Sequence, residues 1–115
     1  DMTIQSQDPH GRDRDAWPIF RTENALALVR HVDHMLKFYA DKKLPPVLCF
    51  YMHPWEFHKM PEGLIHFGEG AVLPDPFIIK NCGRVAVQEL DNFITLLKER
   101  GAEFATAGDM ADWEV

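Results

Sequence analysis

The chain has 115 residues, of which 46% are hydrophobic and 26% are charged, enough for one domain around one hydrophobic core. It carries 18 acidic and 12 basic residues, a formal net charge of −6, which argues against a nucleic-acid binder and a polybasic membrane-surface protein because both need clustered Lys and Arg. No apolar run approaches the ~20 residues that cross a bilayer, so the sequence argues against a membrane span as well.

The first 21 residues are predicted to form a polar lead-in loop. Prolines, a glycine and charges follow one another quickly, without a helical or strand period, up to the apolar group Trp17-Pro18-Ile19-Phe20. The chain opens Asp1-Met2-Thr3, with neither an initiator Met nor a signal peptide. We therefore expect it to begin inside a longer polypeptide.

A first helix is predicted to begin after Thr22, which can cap it, and to end near 41–43 because Pro45 and Pro46 cannot continue it. Apolar residues at spacings of three and four form a single stripe along it. These are Ala25, Leu26, Val29, Val32, Met35, Leu36 and Tyr39.

Residues 47–52 form a continuous apolar run of strand length. An unbroken run is typical of a strand that is buried on both faces, so Cys49 is expected to be a buried free thiol. The run stops at His53-Pro54. Residues 54–83 hold most of the Pro and Gly and are predicted to be a long loop, with a short β excursion near 64–67.

A second helix is predicted over 85–100, with Gly101 as its C-terminal cap, followed by a short strand at 103–106 and a turn of helix at 108–112. Its apolar face comprises Val87, Leu90, Phe93, Ile94 and Leu97. This order of elements predicts an α/β fold with parallel strands. Two strands cannot cover both faces of a parallel sheet, so we expect the chain to be part of a larger sheet or barrel, or to be completed by another polypeptide.

His53 is the most informative candidate for chemistry. A histidine at the carboxyl end of a buried parallel strand lies at the edge where α/β enzymes keep their active groups. Histidine is also the side chain best suited to proton transfer near neutral pH. The alternative is a buried structural histidine held by hydrogen bonds.

The stretch 45–57, PPVLCFYMHPWEF, resembles the fifth conserved motif of polysaccharide deacetylases, carbohydrate esterase family 4, in the branch whose strand ends His-Pro-Trp-Glu. The tail 89–113, ELDNFITLLKERGAEFATAGDMADW, is similar to the last helix–strand–helix of that family. The resemblance covers the chain from about residue 22 onwards. It implies that residues 1–115 are the C-terminal part of a distorted (β/α) barrel with parallel strands.

The resemblance also implies metal-dependent removal of N- or O-acetyl groups from a sugar polymer. In such enzymes a divalent metal, often zinc, is held by an Asp and two His, polarises the acetyl carbonyl and activates a water, and a second Asp is the general base. His53 matches the motif-five histidine, the general acid that protonates the leaving amine. The family's fourth motif pairs an Asp with a Trp near this histidine. Asp15-Ala16-Trp17 resembles a remnant of that motif, which implies that Asp15 supports His53.

Three residues are assigned to the substrate on the same basis. Trp17 and Trp55 can stack on a sugar ring, although Trp55 can equally cover the end of the core. Glu56 completes the motif, and we expect it to order the loop rather than to catalyse.

The departures from the family are large. The motifs Thr-Phe-Asp-Asp, His-Ser-x-x-His and Arg-x-Pro-Tyr have no counterpart, so the chain lacks the general base and every metal ligand. We therefore expect no metal site and no activity on this chain alone; the metal and the missing N-terminal half, or another chain, would complete the enzyme.

Two other classes remain open. One is a non-catalytic α/β module that binds carbohydrate or a partner. The other is a small metal-binding domain built on histidines, because two of them lie one helical turn apart and others follow in the loop. Its candidates are His31, His34, His53 and His58, with His66 further along the loop.

Overall fold

A computed structural model describes residues 19–111. Asp15 and Trp17, and with them most of the predicted lead-in loop, lie outside the described residues. The elements, in chain order, are α1 (Ile19–Thr22), α2 (Ala25–Lys42), a 3₁₀ turn (Pro54–Phe57), β1 (Ile65–Phe67), β2 (Gly70–Val72), α3 (Pro76–Ile79) and α4 (Arg84–Glu99).

The first long helix, α2, begins two residues later than predicted. Its N-cap is Asn24, whose side-chain oxygen accepts a hydrogen bond from the Ala27 N–H at 2.8 Å, whereas Thr22 ends the separate turn α1. A side-chain acceptor at this position satisfies one of the backbone donors that a helix start leaves open. The helix ends at Lys42, as predicted.

The buried face of α2 also differs from the predicted stripe at two positions. Leu28 is buried, whereas Leu26 is 47% exposed. Leu28 lies three residues after Ala25 and four before Val32 and so shares their face, while Leu26 is rotated from Ala25 by about 100°. The prediction for Leu26 was therefore wrong.

The second long helix, α4, agrees with the predicted helix to within one residue at each end. Gly101 has a positive φ of 79° and its N–H donates to the Lys98 carbonyl at 2.9 Å, as expected of a cap. Phe93 and Leu97 of the predicted face are buried, but Val87 is 52% exposed.

The core lies where α1, α2 and α4 meet. Its buried hydrophobic residues are Phe20, Ala25, Leu28, Val29, Val32, Ala86, Phe93 and Leu97. α2 and α4 each contribute one apolar stripe, as amphipathic helices in small domains do, and α1 contributes Phe20. None of the helices within residues 19–111 has the length and apolar character that a membrane crossing requires.

The prediction that residues 47–52 form a strand buried on both faces was wrong. Within residues 19–111 this segment pairs with no other strand, and its side chains alternate: Leu48, Phe50 and Met52 are half-buried against the core, whereas Cys49 and Tyr51 are exposed. The helices supply one apolar layer, so only one face of the segment is covered. Cys49 is therefore a free but exposed thiol.

The region 54–83 is not one uninterrupted loop. It contains the 3₁₀ turn, the hairpin β1–β2 and α3. The β excursion predicted near 64–67 is confirmed as β1, which pairs antiparallel with β2 through Ile65 opposite Val72 and Phe67 opposite Gly70.

The strand predicted at 103–106 is absent from the described structure, where these residues are exposed and pair with no strand. The next residues form a turn in which the Thr106 N–H and hydroxyl donate to Asp109 Oδ2 at 2.9 and 2.7 Å. A two-stranded antiparallel sheet is too small to show a barrel. The (β/α) barrel stays a prediction.

Candidate functional site

His53 stands at the junction between the segment 47–52 and the 3₁₀ turn. Its backbone is extended, with φ −99° and ψ 136°, and Pro54 follows as the first residue of the turn, where a fixed φ and a missing N–H are tolerated. The Glu56 N–H donates to the His53 carbonyl at 3.0 Å and closes the turn. The His53 side chain remains 36% exposed at the end of the segment.

Glu56 lies beneath His53 and is fully buried. Its Oε2 accepts a hydrogen bond from the His53 backbone N–H at 2.7 Å. The same oxygen lies 3.6 Å from the imidazole Nδ1, a distance that makes a charge contact rather than a hydrogen bond. As the sequence predicted, Glu56 orders this loop; its contact with a substrate stays a prediction.

Arg21 holds the other side of the Glu56 carboxylate and is itself fully buried. Its Nε donates to Glu56 Oε1 at 3.1 Å. Its Nη2 lies 3.1 Å from the same oxygen without making a second hydrogen bond. A buried charge is tolerated when a partner of opposite charge neutralises it, so each of these two side chains makes the burial of the other possible.

Arg21 also connects α1 to the chain that precedes α4. Its Nη1 donates to the Lys80 carbonyl, and the Asn81 side-chain amide donates to the Arg21 carbonyl at 2.9 Å. Sequence reasoning missed Arg21 because it placed the residue in the lead-in loop. The one available signal is a single arginine directly after the apolar group at 17–20.

Aromatic rings surround the imidazole. Trp55 stacks on His53 with ring centroids 5.3 Å apart, and Tyr51 meets it edge-on at 4.8 Å. The Arg21 guanidinium lies 5.9 Å from the centre of the Trp55 ring. The structure therefore brings Trp55 and His53 together, while the predicted stacking of Trp55 on a sugar remains a prediction, and Trp17 lies outside the described residues.

The beginning of α4 is tied to this turn through Gly83. The Gly83 N–H donates to the Glu56 carbonyl at 2.8 Å. Gly83 has φ +88°, and a Cβ there would come within 3.0 Å of the Lys59 backbone nitrogen. Only glycine fits both the backbone conformation and the close approach.

The remaining histidines do not assemble a site. His34, His58 and His66 are exposed and His31 is half-buried. Across residues 19–111, no three His, Cys, Asp or Glu side chains come together in a way that could hold a metal ion. A metal-binding domain built on these histidines therefore gains no support from the described residues.

Comparison with known proteins adds no relative: no protein-family model, no curated protein and no solved structure matches this chain. The resemblance to polysaccharide deacetylases therefore rests on the residues quoted above alone.

Proposed function

We propose that this chain is part of a metal-dependent polysaccharide deacetylase, a hydrolase that removes acetyl groups, as amides or esters, from a polysaccharide or oligosaccharide. In this proposal the chain supplies the general acid, His53, and does not supply the metal site. The divalent metal, with zinc the expected ion, and the general base belong to an N-terminal half or to another chain.

The observation that carries the proposal is the placement of His53. The imidazole is partly exposed at the end of an extended segment, and its backbone is fixed by the buried carboxylate of Glu56. A general acid needs such a position, because it must reach the leaving atom without searching for its orientation. Once water has added to the carbonyl carbon of the acetamide, the C–N bond breaks, its electron pair stays on the nitrogen, and a proton of the His53 imidazolium passes to that nitrogen.

The segment 47–52 supports the wider fold proposal. The main chain of this segment makes no hydrogen bond with the main chain of any other described residue in 19–111. Its outward face, which includes Tyr51 at 76% exposure, is uncovered. A strand of a distorted (β/α) barrel has this appearance when its neighbouring strands belong to another part of the protein.

The same uncovered face favours a second candidate, a non-catalytic α/β module that binds carbohydrate or a partner. Large apolar side chains stand exposed along the segment and elsewhere, among them Val47, Tyr51 and Phe104. Exposed apolar side chains along one face of a segment are typical of a surface that a partner covers. This candidate requires a partner or a carbohydrate to cover the exposed apolar face of the segment 47–52, and it does not require His53 to exchange a proton.

Acetate release distinguishes the two. The chain is assayed on an acetylated chito-oligosaccharide with zinc, alone and joined to the sequence that its transcript encodes upstream of Asp1. The proposal predicts that the upstream sequence carries an Asp-Asp and a His-x-x-x-His pattern, and that only the joined protein releases acetate. An upstream sequence without these motifs, or a joined and folded protein without activity, would contradict the deacetylase and favour the binding module.

A further inference from the structure

We draw no further inference here: the strongest candidate, the apolar surface patch on and beside the hairpin β1–β2, where Leu64, Phe67, Val72 and Leu73 are exposed, carries nothing because nothing in residues 19–111, the part of the chain that the structure describes, shows what covers it.

Discussion

Helix α4 and the segment 47–52 are both rich in apolar residues, yet only the helix is a complete element. An α-helix satisfies its backbone within itself and needs one covered stripe, which α1 and α2 provide for Phe93 and Leu97. An extended segment needs neighbouring chains for its backbone, and 47–52 has one covered face and no partner strand among residues 19–111. The difference teaches that the helical part of the fold is locally determined, whereas the segment that presents His53 depends on what lies beside it.

The largest effect should come from the buried pair of Arg21 with Glu56, which ties the turn that follows the segment 47–52 to the helical part of the fold through α1. Arg21→Met leaves the Glu56 carboxylate buried and unpaired, and removal of one partner from such a pair costs about 3–5 kcal/mol. We expect the free energy of unfolding, measured by urea titration, to fall by that amount. The matched control is Arg100→Met, which breaks a pair with Asp33 at the surface and should cost far less. Equal effects would show that burial does not govern the Arg21 pair.

A smaller loss is expected at the backbone contact between α4 and the 3₁₀ turn. Gly83→Ala places a Cβ against the Lys59 backbone at φ +88°, which should cost roughly 2–3 kcal/mol in the free energy of unfolding. Gly101→Ala is the control, because Gly101 has φ +79° but no atom within 4 Å of the added Cβ, and should cost about 1 kcal/mol. Urea unfolding of both variants isolates the contact, and indistinguishable losses would rule out a steric contribution at Gly83.

The alternation along the uncovered segment can be tested with two adjacent aromatic residues. Phe50 packs edge-on against Phe93 with ring centroids 4.9 Å apart, so Phe50→Ala should destabilise the chain by roughly 1–2 kcal/mol, less than a fully buried Phe would. Tyr51 is 76% exposed, so Tyr51→Ala should change stability by under about 0.5 kcal/mol. Thermal unfolding of both variants gives the comparison; a larger loss for Tyr51→Ala would mean that the outward face is already covered in this chain.

The smallest effect on stability is expected from the exposed ion pair of Arg100 with Asp33, which links the two long helices α4 and α2. A hydrogen bond from Arg100 Nε to Asp33 Oδ1 at 2.8 Å lowers the pKa of the Asp33 carboxyl below its ordinary value. Since the folded-state pKa lies below the unfolded one, the pair stabilises the fold above the ordinary carboxyl pKa and ceases to do so as the pH falls through the folded-state pKa. Asp33→Asn should therefore lower the urea midpoint slightly at about pH 7 and not at about pH 2. A difference that persists in acid would assign the effect to something other than this ion pair.

Sequence reasoning succeeded where the structure is local. Proline, glycine and apolar spacing act within a few residues. They predicted the end of α2 before Pro45, the bounds of α4 and the strand that begins at Ile65. The N-cap was misplaced because Thr22 and Asn24 are both good caps, and Thr22 belongs to the separate turn α1.

The candidate site was only partly predictable. His53, Trp55 and Glu56 are adjacent in sequence, so a short pattern could identify them together. Arg21 lies 35 residues from Glu56, and no pattern in a single sequence shows that the two are partners. The burial of 47–52 was misjudged for a related reason: an apolar run shows that a strand can be covered on both faces, not that both covering layers belong to the same chain.

The most direct test of the account is the activity of His53→Ala in the chain joined to its upstream sequence, with acetate release and zinc content measured together. If His53 is the general acid, kcat should fall by about 10² or more while the zinc content is unchanged. An equal loss of zinc would make His53 a metal ligand, and an unchanged kcat would remove it from the reaction. Either result would contradict the account.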